Sequence, residues 1–507
     1  MFYYDTKQWM LLIAMAAALS LIFIDQTAIS IALPTIQKAF SLNYTDVQWV
    51  MNIYAVCLAS TLIVGGKLAD YMGPKTTYQI GIVFFGLGSL LCGSVSTYSF
   101  LLFGRVIQGL SAAIMLPAAA VLVINHFPES ERGRAIGFYV GIASVFLALG
   151  PMFGGLLLQS FGWYWIFYIN IPICLLGLIF AKLVLTEQTY HKQFKFEDFT
   201  GYLLISLSLA SLITALIESN RHGFGSLIVM ILFTVSLIGW TVFIWRSLVI
   251  INPIINFKLF KNKTFAICCW IMLQDQAVVV SITFWMLILQ YGYLKSPAYS
   301  GLLLLTGTFP IIFMAPLSGI CRDQFGPILT MRIGAILMCC GSWWIGIVIY
   351  NNYPLLWLVA GFFCFGSGTP FVLSTAMGQA LSVIKADVRG TASGIINTCK
   401  QLGTALGLAI WGTIIGHLYF SFLAKILHKQ NGYAGLTVKS LHGLLVQSKS
   451  AMQAISHLPL VQQEQLLAQA QLARRESFGI CMACVGTVAL ISFLMTWWMP
   501  RQPRYME

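Results

Sequence analysis

Five hundred and seven residues that are 58% hydrophobic and only 9% charged, with a mean hydropathy of +0.83, exclude a set of water-soluble domains, which would carry roughly a quarter of their residues as charges. The same composition excludes a disordered chain and a secreted disulfide scaffold. The net charge of +13 does not point to nucleic acid, because Lys and Arg are scattered between apolar runs and are not gathered on one face.

A helix needs about 20 apolar residues to cross the hydrocarbon core. About fourteen such runs follow one another, near 9–31, 46–66, 76–95, 98–122, 135–157, 164–185, 199–219, 226–247, 264–290, 299–319, 329–349, 355–383, 391–417 and 476–498. The first reads as a span and not a cleaved signal, since it is long, holds Asp25 and ends in Leu33 and Pro34. Basic residues in short loops stay on the cytoplasmic side. Lys67, Lys75, Arg132, Arg134, Lys182, Lys258, Arg322, Lys385 and Arg389 fall there if the N-terminus is inside, against Lys38, Arg221 and Lys295 in short outer loops. The expectation is a multi-pass protein of the cytoplasmic (inner) membrane with both termini cytoplasmic. Arg474 and Arg475 abut the last span on the outer side, against this rule. Segment 418–475 is the one long outer loop, and its Gln-, Leu- and Ala-rich second part predicts an amphipathic outer helix or hairpin. The twelve cysteines show no zinc-type spacing, and eleven lie in apolar stretches; inert thiols are expected, with no metal and no cofactor.

An internal repeat organises the chain. Gly66-Lys-Leu-Ala-Asp70-Tyr-Met-Gly73-Pro74 after the second span and Gly319-Ile-Cys-Arg-Asp323-Gln-Phe-Gly326-Pro327 after the tenth both read G-x-x-x-D-x-x-G-P. They imply a duplicated six-span unit, made of spans 1 to 6 and 9 to 14, with spans 7 and 8 inserted. The fold class is therefore all-α integral membrane, two six-helix bundles plus two inserted helices. The units are 1–198, an N-terminal six-span bundle; 199–247, the inserted pair; 248–417, five spans of the second bundle; 418–475, the outer loop; and 476–507, the last span and tail. In each loop the glycines permit a tight turn and close helix approach. The Asp can accept from a neighbouring helix N-terminus or pair with a base such as Arg134, so Gly66, Asp70, Gly73, Asp323 and Gly326 are candidates for a conformational latch.

An ionisable residue inside the bilayer is a functional candidate by default. Asp25, Arg105, Asp275 and Lys400 stand out. At 1.5 Å per residue Asp25 lies about 24 Å up its span and Arg105 about 10 Å from the outer end of its own, nearly level in a core of roughly 30 Å. Asp275, about 16 Å up, and Lys400, about 14 Å up, are level as well. An acid beside a cation keeps its charge and an acid in an apolar cavity favours the neutral form. Alternation between the two surroundings would carry protons, with Asp25 and Asp275 titrating and Arg105 and Lys400 tuning them. Polar and aromatic residues in otherwise apolar spans are the substrate-binding candidates: Asn52, Tyr54, Gln108, Gln274, Trp285, Asn397 and Gln401.

Several of these segments together resemble one family. GGKLADYMGPK resembles the loop motif of the major facilitator superfamily, and the whole pattern is similar to its fourteen-span drug:proton antiporter branch, the EmrB/QacA type. Asp25-Gln-Thr27-Ala-Ile-Ser30-Ile-Ala32-Leu-Pro34 resembles the branch's first-span motif, with Ser30 in place of Asn. Leu102-Phe-Gly-Arg105-Val-Ile-Gln108-Gly109 resembles the fourth-span motif, Trp163 to Pro172 the start of the sixth span, and Arg389-Gly390-Thr-Ala-Ser-Gly394 with Gln401-Leu-Gly403 the thirteenth-span pattern. Gly150-Pro151-Met-Phe-Gly154-Gly155 is similar to the fifth-span motif that marks exporters. The resemblance implies proton-coupled export of amphipathic or cationic small molecules by alternating access, driven by the proton gradient without a cofactor. Export of a specific metabolite such as a siderophore, or proton-linked uptake, stays open. It also implies two modes of working, with a periplasmic adaptor protein and an outer-membrane duct or alone. No catalytic set appears, so an enzyme is not expected.

Overall fold

In a bilayer a long apolar run satisfies its backbone hydrogen bonds internally only as a helix or in a closed barrel, and this chain takes the helical route. The computed structural model describes residues 5–42, 44–185, 198–250, 253, 255, 257–429, 455–456 and 459–500. Among them there is no strand, and fourteen helices are long and apolar enough to cross a membrane. The first six are α1 (Thr6–Ala39), α2 (Tyr44–Met72), α3 (Pro74–Ser94), α4 (Tyr98–His126), α5 (Arg132–Ser160) and α6 (Asn170–Val184). Next come α7 (Phe199–His222) and α8 (Leu227–Val249), then α9 (Lys263–Val279), α10 (Pro297–Phe325), α11 (Pro327–Tyr350), α12 (Leu356–Ser382), α13 (Arg389–Lys429) and α14 (Leu460–Met495).

Helix ends follow local chemistry. Asp5 and Gln8 form a reciprocal capping box at the start of α1. The handovers from α2 to α3 and from α10 to α11 are single-residue turns at Gly73 (φ 85°) and Gly326 (φ 88°), each followed by Pro at the first helical position. The repeated loop is thus one turn built twice.

Helices α1 to α6 form one bundle, in which α3 packs on α4, α2 on α4 and α1 on α5; α9 to α14 form the other, with α11 between α12 and α14. The halves meet chiefly along two crossings, α2 with α13 and α5 with α10. Helix α7 packs against both α2 and α13, and α8 packs against α7 while presenting apolar residues such as Leu227, Leu237 and Leu248 outward. Asp198 caps the N-terminus of α7 and pairs with Arg246 of α8 at 2.8 Å. The inserted pair therefore lies along the seam between the bundles.

The last span departs from expectation. Helix α14 begins at Leu460, and α13 continues to Lys429. The expected outer helix and the last span are one rod, because Tyr419 and Leu423 of α13 give Leu466, Ala470 and Ala473 an apolar face beyond the expected boundary at 476. Arg474 and Arg475 lie inside that rod. Arg474 donates to the carbonyl of Tyr291, and Arg475 and Gln471 donate to that of Gly292 at 3.2 and 2.9 Å. They satisfy the open carbonyls of the π turn Ile288–Gly292 that ends the span begun by α9. Most of the rest of the 418–475 segment, including Lys439 and Lys449, lies outside the described residues.

Candidate translocation site

Two residues buried to 1% exposure anchor the first bundle. Arg105 of α4 places Nη1 2.6 and 2.7 Å from the two carboxylate oxygens of Asp25 on α1. Its Nε donates to the carbonyl of Val50 on α2, and Nη1 also reaches Oε1 of Gln108 at 2.9 Å. The guanidinium lies 4.3 Å from the ring centre of Tyr54. Gln108 donates onward to Ser89 Oγ at 2.7 Å, which also receives Asn170 at 3.3 Å. Tyr54 and Gln108, expected at the substrate, are placed by the fold in the shell of the ion pair.

The second bundle is not its copy. Asp275 on α9 has 0% exposure, neither carboxylate oxygen has a hydrogen-bond partner, and no ion pair to it occurs among the described residues. Lys400, expected beside it, turns instead to the other bundle, with Nζ 5.8 Å from the ring centre of Phe23 on α1. The expected equal depth is not found: Gly403 and Gly407 of α13 lie against Leu273 and Ala277 of α9, which sets Lys400 opposite residue 270, about 7.5 Å along the helix from Asp275. Three other substrate candidates are also used inside the bundle. Gln274 donates to the carbonyl of Val488, Asn397 donates to the carbonyl of Ser393 at 2.9 Å, and Trp285 stacks on Phe362 at 4.3 Å and meets Phe365 edge-on at 5.0 Å. Asn52 and Gln401 are half-buried.

The repeated loops clasp the opposite bundle. Asp70 accepts from the backbone N–H groups of Gly390 and Thr391 at 2.6 and 2.7 Å and from the Thr391 hydroxyl, all at the start of α13. Asp323 accepts from Gly133 and Arg134 at 2.9 and 2.8 Å at the start of α5. Of the two uses expected for the Asp, the fold takes acceptance from a helix N-terminus, and among the described residues Asp70 does not pair with the Arg134 side chain, because each loop reaches the other half of the molecule. Gly66 and Gly390 lie face to face, as do Gly319 and Gly133; a Cβ on any of the four would run into the opposing backbone. These crossings expose a second repeat that sequence reading missed: Arg132-Gly133-Arg-Ala135-Ile-Gly137 and Arg389-Gly390-Thr-Ala392-Ser-Gly394 both read R-G-x-A-x-G. Comparing the halves at an offset of 257 residues would have found it. Each copy follows a short 3₁₀ turn, Glu129–Glu131 or Ala386–Val388. Arg389 further ties the bundles by donating to Asn125 Oδ1 at 2.6 Å.

The fifth-span glycines form a seam with α1 next to Asp25. A Cβ on Gly150 would strike Thr27, and one on Gly154 would sit 2.9 Å from the Cα of Ala28, whereas Gly155 has nothing within 4 Å. Close packing therefore explains Gly150 and Gly154 but not Gly155. Pro151 continues the helix, and its side chain lies outside the described residues. Among the described residues no group of His, Cys, Asp and Glu could hold a metal ion.

A family model described as Major Facilitator Superfamily matches residues 15–408. The multidrug resistance protein Stp of Mycobacterium tuberculosis is 29% identical over 418 residues, covering 81% of this chain and 76% of that protein. The tetracenomycin C resistance and export protein of Streptomyces glaucescens is 29% identical over 413 residues, with 81% and 76% covered. Among solved structures, the proton:xylose symporter XylE superposes with a TM-score of 0.60 at 13% identity, over 98% of this chain and 97% of that one, a likeness of fold.

Proposed function

The chain belongs to the major facilitator superfamily of multi-pass membrane transporters, and on that premise we propose that it exports amphipathic small molecules in exchange for protons, by alternating access between its two bundles. The observation that carries this reading is the buried pair of Asp25 and Arg105 on α1 and α4, with the unpaired Asp275 in the opposite bundle. A carboxylate held by a guanidinium keeps its charge, and one alone in an apolar interior is most stable as the neutral acid. A transporter that exchanges these surroundings as it rocks takes up a proton on one side and gives it up on the other. Export is favoured over uptake by the resistance and export proteins among its relatives and by the resemblance of Gly150-Pro151-Met-Phe-Gly154-Gly155 to the fifth-span motif of exporters.

The clasps supply the second state. Two carboxylates on two helix N-termini join the halves at the loop end, which this reading places on the cytoplasmic face with both chain termini and in the inner membrane. Release of both would open that face while the opposite one closes. Asp70 and Asp323 with Gly66, Gly73 and Gly326 are the latch in this scheme, and Asn52 and Gln401 are candidates for contact with the transported compound. The outer ends of α13 and α14 are where an adaptor protein would dock, if this exporter uses one. The test is dye movement in proteoliposomes under an imposed pH gradient. Movement against the proton flow supports exchange; movement with it replaces export by uptake.

A further inference from the structure

The charges left facing the space between the bundles point to the kind of compound carried. Helix α1 shows two sides in its middle. Asp25, Ala28, Ile29 and Ala32 are buried within the first bundle, whereas Phe23, Gln26, Ser30 and Pro34 are half-buried or exposed and share one stripe at helical spacing. Lys400 of α13 lies over Phe23, so this stripe faces the second bundle. On α2, Asn52 is in helical register with Gly66, the residue that meets Gly390 of α13, and so looks to the same space from about 21 Å further along the helix.

Count what a solute there would meet. Arg105 is turned away and neutralised by Asp25 at 2.6 Å. Asp275 is sealed in its bundle at 0% exposure. Lys400 alone of the four mid-span ionisable residues is partly exposed, and among the described residues its side chain has an aromatic ring and no ion-paired carboxylate for company. Gln26, Ser30 and Asn52, polar but uncharged, are exposed or half-buried on the sides of α1 and α2 turned to this space. We infer that the transported compounds are amphipathic organic anions whose acidic group is received by Lys400 at the Phe23 stripe, and that lipophilic cations are excluded. This rests on the export reading above, and it narrows the amphipathic or cationic range expected from sequence to its acidic members. An ammonium beside an aromatic face and unpaired with any carboxylate is a site for an anion with an apolar body; a cation brought there meets like charge in a region of low dielectric.

Two xanthene dyes of similar shape and opposite charge test it: fluorescein and a cationic rhodamine ester, bound to the purified full-length protein in detergent and followed by fluorescence anisotropy. Fluorescein should bind the wild type in preference to the rhodamine. Lys400→Gln should bind fluorescein about tenfold or more weakly, Lys400→Arg should restore binding, and Lys400→Glu should reverse the preference to the rhodamine. That reversal is a gain of binding, which misfolding cannot produce. Wild type that binds the rhodamine as tightly as fluorescein, or fails to bind fluorescein, overturns the inference, as does a Lys400→Gln variant that binds fluorescein normally. Binding is read without any gradient. Fluorescein bound through Lys400 but not moved in proteoliposomes under a pH gradient would uphold the site and sink the export reading.

Discussion

Asp70 of α2 and Asp323 of α10, 253 residues apart, do the same work on opposite halves of the molecule: each accepts two backbone N–H groups from the first turn of a helix in the other bundle. A carboxylate at a helix N-terminus gains from both the unpaired donors and the helix dipole. The glycines one turn earlier let the backbones approach closely enough for the bonds to form. Both crossings lie at the same end of the bundles, and in the proposed cycle they would open and close that face together.

Removing the charge should loosen that closure. Asp70→Asn loses the charge–dipole attraction and keeps one acceptor, a cost of about 1–2 kcal/mol. That corresponds to about tenfold more frequent opening at the start of α13. Hydrogen–deuterium exchange should rise over 389–398 in Asp70→Asn, over 132–141 in Asp323→Asn, and over both in the double variant. Unchanged exchange would show that the glycine crossings alone hold the face shut.

The glycines should divide by geometry and not by motif. Gly66→Val and Gly319→Val place side chains in opposing backbone and should disrupt the crossing, lowering transport by at least about tenfold. Gly154→Val should separate α5 from α1 and do likewise. Gly155→Ala, with nothing within 4 Å, should leave transport and thermal stability within error of wild type. Transport assays and melting in detergent read both.

Buried ions are costly to strand. Asp25→Ala or Arg105→Ala leaves one charge unpaired where both residues have 1% exposure, a loss of about 3–5 kcal/mol. The double variant Asp25→Ala/Arg105→Ala should be more stable than either single one, because no lone charge remains. Melting temperatures of the three, compared as a double-mutant cycle, check this.

Trp285 should behave as a core residue. Its ring is stacked on Phe362 and crossed by Phe365, so Trp285→Ala should destabilise by about 3–5 kcal/mol. Dye affinity in whatever protein remains folded should be unchanged. A large loss of affinity at unchanged stability would return Trp285 to the cavity wall.

The span pattern and the duplicated loop were legible because both are properties of the chain read in order: apolar runs interrupted by polar turns, and Gly-x-x-x-Asp-x-x-Gly-Pro at Gly66 and Gly319. The depth of Asp25 and Arg105 was legible too, since rise per residue sets it. What depth cannot give is the side of the helix. Asp275 and Lys400 were expected level, yet the register of α9 on α13 sets them about five residues apart, and one points into its own bundle while the other points across to Phe23. Gln274 and Asn397 looked like cavity residues for the same reason, and satisfy backbone carbonyls instead. The partner of Asp70 was hidden because it sits 320 residues away, in the R-G-x-A-x-G turn of the other half. Ser89 was missed, and Asn170 was read only as part of the Trp163 to Pro172 motif, because a small polar residue in an apolar span shows no role until Gln108 is seen to need a partner.

Proton exchange through Asp25 is the central claim, and proton flux in proteoliposomes at a fixed imposed gradient, with and without added fluorescein, measures it most directly. The account predicts dye-stimulated proton movement in the wild type and none in Asp25→Asn that still binds the dye. Equal stimulated flux in the two proteins would contradict it.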